Sequence, residues 1–131
     1  MDYIALLLTS FLFGGMLLFS VGFGTLSFKF LEASVARTLI RKTFPFFYGY
    51  VLLVSALVIL FSFNISNLIT AFAFSIFITT IPTSLVLMPA INKASDAQQK
   101  RKFVLLHTVS VLITLSHIII SGILLFLISN G

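Results

Sequence analysis

The sequence predicts an all-α fold, a polytopic membrane protein built as a bundle of four transmembrane helices, and three observations carry that prediction. Of 131 residues, 60 % are hydrophobic and 8 % charged, with a mean hydropathy of +1.21, far from the composition of a soluble globular domain. All eight Lys and Arg residues fall in two short clusters, Lys29 to Lys42 and Lys93 to Lys102. The uncharged runs around them are long enough to cross a hydrocarbon core about 30 Å thick at roughly 20 residues per crossing. Four spans, at about 3–28, 44–63, 68–88 and 103–128, use nearly the whole chain, which reads as a single domain, 1–131. Loops rich in Lys and Arg stay cytoplasmic. Both termini are therefore expected on the other side, with two basic loops at the cytoplasmic face of a bacterial inner membrane.

The first span follows Asp2 and lacks the basic leader of a signal peptide, so it is expected to be a retained helix. After it, Lys29, Glu32, Arg37, Arg41 and Lys42 interleave with Phe28, Leu31, Val35 and Leu39 at helical spacing. Two readings fit: a short helix lying at the interface, or an extension of the first span. Phe44-Pro45 is expected to open the second span, with proline in the first turn where its missing N–H costs nothing. Asn64-Ile65-Ser66-Asn67 forms a short uncharged external turn. In the third span, Pro82 should kink the helix or free a carbonyl that Thr79 or Thr83 could satisfy, and Pro89 marks the cytoplasmic end. The segment from Asn92 to Lys102 leads into the fourth span.

On a helix turning about 100° per residue, His107, Ser110, Thr114, His117 and Ser121 fall within an arc of roughly 80°. Such a polar face should point into the bundle, because hydroxyls and imidazoles facing lipid would go unpaired. Tyr48, Ser55 and Ser62 on the second span are the expected partners, with Ser75, Thr79 and Thr83 as a third polar edge. His107 lies about one turn inside the cytoplasmic boundary and His117 near the midplane. Two readings stay open for them: hydrogen bonds across the bundle, or a proton or ion relay.

Other chemistry finds less support. Paired histidines hold b-type haem in membrane bundles, but these two are on one helix, about 15 Å apart along its axis. Glu32 and Asp96 sit in the basic segments, away from any metal cage. There is no cysteine, and no nucleophile elbow, phosphate loop or His-Glu-x-x-His helix. We expect no enzyme activity, no cofactor and no metal. In the first span, Gly15 and Gly22 lie two turns apart on one face, and Gly24 pairs with Ser20, both suited to close helix approach. Lys29, Arg37, Arg41, Lys42, Lys93, Lys100, Arg101 and Lys102 are expected to meet anionic lipid headgroups, not nucleic acid.

The chain also shows a faint internal echo. Ala33-Ser34-Val35-Ala36 precedes the second span as Ala94-Ser95-Asp96-Ala97 precedes the fourth, and from Phe44 and Phe103 onward the two spans align without a gap. Either a parallel repeat or chance likeness between apolar helices accounts for it.

Phe44-Pro45 after a basic segment, Leu87-Met88-Pro89-Ala90-Ile91-Asn92 closing the third span, and Phe103 through His107 to Ser110 together resemble the transmembrane-protein-205-like family. The likeness runs from roughly Gly22 to Leu115. It implies a four-span module of uncharacterised function, with Phe44, Pro45, Pro89, Asn92, Phe103, His107 and Ser110 at the recurring positions. Thr114 stands where the family tends to have asparagine, so the interhelical amide contact that the likeness implies lacks its donor here. The first basic segment also lacks the family's proline. Through its eukaryotic member, associated with resistance to a platinum drug, the resemblance points to transport or traffic.

The leading functional expectation is a non-enzymatic accessory or interaction subunit of a larger membrane assembly, partnered by lipids and by a second copy or other subunits. The alternatives are a small transporter or proton-linked carrier using the stripe on the fourth span, and a haem or metal redox protein.

Overall fold

The computed structural model describes residues 3–130. Asp2, read above as preceding the first span, lies outside the described residues. The chain forms four long helical rods: α1 (Tyr3–Phe30), α2 (Ala33–Ser62), α3 (Asn67–Asp96) and α4 (Lys100–Ser129). Each is long and apolar enough to cross a membrane, as their composition requires. Each rod packs mainly on its neighbours in sequence, and α1 also packs on α4, closing the ring. Both basic clusters lie at one end, where Arg41 and Asp96 meet; the described chain ends lie at the other.

The interior is filled by Leu12, Met16, Val51, Val58, Ile76, Leu124 and Ile128, all fully buried. At the basic end an aromatic group joins α1 to α2: Phe19 stacks on Phe47 at 4.3 Å between ring centres and meets Phe44 edge-on at 5.5 Å. Large apolar side chains such as Leu7, Phe11, Leu18, Phe46, Leu53 and Leu85 cover the outside, the inverse of a soluble protein.

The helix ends correct three expectations. The first basic segment is not a separate interfacial helix, and only its start extends the first span: α1 keeps Phe28 and Lys29 and breaks at Leu31 and Glu32, both extended, and Ala33 onward belongs to α2. Ala33, Ala36 and Leu39 are strong helix formers, and nothing between Glu32 and Phe44 stops the helix. Pro45 consequently lies well inside α2 rather than in its first turn. Its ring is exposed, and the carbonyl of Arg41, deprived of a partner by the missing N–H, lies toward the basic end. Pro89, in turn, does not end α3, which continues to Asp96.

That continuation depends on a wider turn. Thr83–Leu87 is π-helical, with the Met88 N–H donating to the Thr83 carbonyl. Neither Pro82 nor Pro89 can donate to the ladder, and the π turn between them lets the rod proceed. The Thr83 N–H turns to the Thr80 carbonyl, and the Thr83 hydroxyl donates to the Thr79 carbonyl at 2.7 Å. This is the kind of hydroxyl rescue expected beside Pro82, one carbonyl further along. A second π segment, Leu18–Phe23, lies in α1.

Between α3 and α4 the chain turns in a Schellman motif. The Gln99 N–H donates to the Ala94 carbonyl at 2.9 Å and the Gln98 N–H to Ser95 at 3.1 Å, with Gln98 left-handed at φ 56°. At the other end, the Ser66 side chain accepts from the Leu68 N–H at 3.2 Å and so caps α3.

Candidate functional site

The expected polar face of α4 divides along its length. Ser110, His117 and Ser121 are buried, Thr114 is half-buried, and His107 is exposed, its ring stacked 5.6 Å from that of Phe103. From Lys100 to Val109 no residue of α4 is buried. The basic third of this rod buries none of its side chains, so His107 is exposed because of its height along the helix, not its angle around it.

The buried hydroxyls bind close to home. Ser55 donates to the Val51 carbonyl at 2.6 Å, Ser121 to Ile118 at 2.8 Å, and Thr80 to Ile76 at 2.7 Å. Donating to one's own helix is the low-cost solution for a hydroxyl without a partner across the bundle. Tyr48 differs: it is 4 % exposed, and its hydroxyl finds no hydrogen-bond partner among the described residues. Ser110 faces it from α4 and interacts with it electrostatically.

A polar contact joins α3 and α4 near mid-height. His117 Nε2 of α4 lies 2.7 Å from Thr79 Oγ1 of α3. The two residues share a groove between α3 and α4, about 300 Å³ in volume, with Ser75, Val109, Leu112, Ile113, Ser116 and Ile120. The Thr79 hydroxyl donates to the Ser75 carbonyl at 2.6 Å. Its single proton is thereby committed, so His117 Nε2 carries the proton it shares with Thr79 and Nδ1 is left with its lone pair. Thr79 was legible as a polar edge of the third span, but its pairing with His117 was not.

The glycines of α1 separate. At Gly15 an added Cβ would fall on the Tyr50 ring, 2.6 Å from Cζ. The Tyr50 hydroxyl donates to the Phe11 carbonyl, and the Tyr50 ring meets Phe11 edge-on at 5.2 Å. Gly15 thus faces another rod of this chain. Gly22 would crowd Leu18 of its own helix, and Gly24 has open space around it. Tyr50 is a residue that sequence reasoning missed; the glycine two turns from Gly22 was the available signal for an aromatic neighbour.

At the basic end, Arg41 and Asp96 form a two-pronged ion pair of 2.7 and 2.9 Å. Arg41, expected to meet lipid headgroups, is thus engaged by a carboxylate within the protein. Lys29 lies 5.5 Å over the Phe30 ring; Arg37, Lys42, Lys93, Lys100, Arg101 and Lys102 are exposed. Phe44 and Asn92 are half-buried, and Pro89 is exposed. The hydrogen bond from Arg41 holds the Asp96 carboxyl below the ordinary aspartate range, and the same bond raises Arg41. A depressed carboxyl contributes stability above its unfolded pKa and loses it as pH falls through the folded value. Wild type and Asp96→Asn should therefore differ in thermal midpoint at neutral pH, by little because both groups are solvated. They should converge below about pH 3.9. A gap that widens in acid would contradict this. Among the described residues, no three His, Asp or Glu side chains come together as a metal cage.

A family profile described as a domain of unknown function, DUF4149, matches residues 7–100. No curated protein and no solved structure gives a significant match. The matched segment holds nearly all of α1, the whole of α2 and α3, and Phe44, Pro45, Pro89 and Asn92. It stops where α4 begins, so Phe103, His107, Ser110 and the α4 wall of the groove lie beyond it.

Proposed function

We propose, from the premise that this chain belongs to the DUF4149 family and carries four rods apt for a membrane, that it is a non-enzymatic accessory subunit of a larger membrane assembly. One observation carries this reading: the interior is closed on itself. Its core residues are fully buried, and its hydroxyls are mostly spent on their own helices. The outer apolar surface is then where the protein acts, by lateral contact with other helices. The carrier reading draws less support, since His107 stands outside the buried part of the stripe that was to form its route. We place the basic end at the cytoplasmic face of a bacterial inner membrane, with its exposed Lys and Arg near anionic headgroups. The likeness to transmembrane-protein-205-like modules belongs to this reading too, resting on Phe44-Pro45, Leu87 to Asn92 and Phe103 to Ser110.

A tagged copy should be extracted from its own membranes in mild detergent, with a photo-crosslinking residue at Leu7 or Leu18 of α1, both strongly exposed. A membrane partner, or a second copy, should crosslink at a fixed stoichiometry. Recovery as a lone monomer from both positions would overturn the proposal. The chain has no cysteine, so single cysteines introduced at Lys42 and Asn64 report orientation in the same membranes. An impermeant maleimide added outside should label the second and spare the first.

A further inference from the structure

The groove between α3 and α4 has a polar chemistry that is one-sided. Ser75 donates to the Phe72 carbonyl at 2.6 Å, Thr79 to Ser75 at 2.6 Å, and Ser116 to Leu112 at 2.8 Å. The proton on His117 Nε2 goes to Thr79 Oγ1. Every polar hydrogen of the lining side chains is therefore committed inside the protein, and what they present to the groove is lone pairs. His117 is 7 % exposed, and its Nδ1 has no hydrogen-bond partner among the described residues. The residue is among those that line the groove, which makes Nδ1 the ring atom left for an occupant.

Position narrows the occupant. Thr79 is twelve residues from Asn67, and His117 twelve from Ser129, about 18 Å from the non-basic end of the bundle. That is the middle of the hydrocarbon, beyond the reach of phospholipid headgroups. The remaining lining, Val109, Leu112, Ile113 and Ile120, is aliphatic. An enclosed apolar cavity of about 150 Å³ holds a benzene ring, so this open groove of about 300 Å³ has room for a ring with substituents. An occupant that suits both the aliphatic lining and the imidazole nitrogen is apolar, dissolved in the bilayer and able to donate a hydrogen bond, and a small ring fits the space. A quinone or an ether offers acceptors alone and would set lone pair against lone pair.

We propose that this groove binds a membrane-dissolved phenol of the hydroquinone class, its O–H donating to Nδ1 of His117. The site goes beyond the accessory-subunit reading and does not depend on it. It discriminates by a single hydrogen: the reduced, hydroxyl-bearing form of such a ring fits, and the oxidised or methylated form leaves Nδ1 unsatisfied.

The chain has two histidines, which makes the test direct. Protein labelled with ¹⁵N-histidine and held in lipid nanodiscs is titrated with 4-propylphenol and, separately, with its methyl ether; a His107→Gln variant assigns the signals. The His117 Nδ1 resonance should shift saturably with the phenol, with affinity about tenfold above that for the ether, the worth of one well-made hydrogen bond. The His107 signals should not follow. Leu112→Phe, at a residue 58 % exposed on the groove wall, should fill the space and weaken phenol binding while helicity and thermal midpoint hold. Ile113→Phe gives a second, independent filling. Equal affinity for phenol and ether, a linear response, or unchanged binding in both filled variants would overturn the site.

Discussion

Leu124→Ala should lower the stability of the bundle by about 2 kcal/mol, among the largest effects of any single truncation in this chain. Leu124 has no exposed surface and belongs to the central cluster with Leu12, Met16, Val51 and Val58. In a water-soluble core such a change costs roughly 2–5 kcal/mol, part from lost transfer out of water and part from the cavity left behind. In a bilayer the first part falls away, because a rod separated from its neighbours leaves Leu124 in lipid tails as apolar as itself. The cavity part stays. Ile119→Ala, five residues back on the exposed face, is the matched control and should cost little. Thermal or SDS unfolding in detergent reads both. Equal losses at the two positions would mean that the packed interior described here is not what holds the rods together.

Gly15→Leu should be comparably damaging for the opposite reason. Its Cβ alone would reach within 2.6 Å of Tyr50 Cζ, so the tyrosine must leave. With it go the hydrogen bond to the Phe11 carbonyl and the edge-on contact with the Phe11 ring. Overpacking of this kind costs about 1–3 kcal/mol, and the lost hydrogen bond adds up to about 1 kcal/mol in a membrane setting. A double-variant cycle identifies the cause. Tyr50→Ala alone should be mildly destabilising, and in that background Gly15→Leu should lose at least about 1 kcal/mol less than it does alone. Identical losses in the two backgrounds would place the partner of Gly15 elsewhere, on a second copy or another subunit.

Both variants test contacts that the sequence announced unevenly. Gly15 was visible as a small residue on a helix face, because a missing side chain is itself a statement that something comes close. What comes close was hidden: Tyr50 sits among many aromatic residues, any of which could have filled the space. The polar stripe of α4 shows the same limit. Angular spacing grouped His107 with His117, and height along the rod separated them, because no side chain is buried at the α4 end carrying His107. Periodicity reports the angle of a residue and says nothing of whether a neighbour stands opposite at that level. The prolines misled for a related reason. Pro45 and Pro89 looked like helix ends, yet an exposed ring in α2 and a π turn in α3 absorb them.

By itself the sequence determined the number of membrane-apt helices, their approximate extents and the gathering of positive charge into two short segments. Those properties are sums over consecutive residues, each contributing its own preference for hydrocarbon or water. The tertiary structure decided which faces meet. Rods apolar on nearly every side carry little periodic signal to mark the inward face. The contacts that matter, Thr79 with His117, Tyr50 with Phe11 and Arg41 with Asp96, join residues 38, 39 and 55 positions apart. Such pairs follow from how rods of given shape fill space together, a property of the packed whole that no single stretch of chain contains.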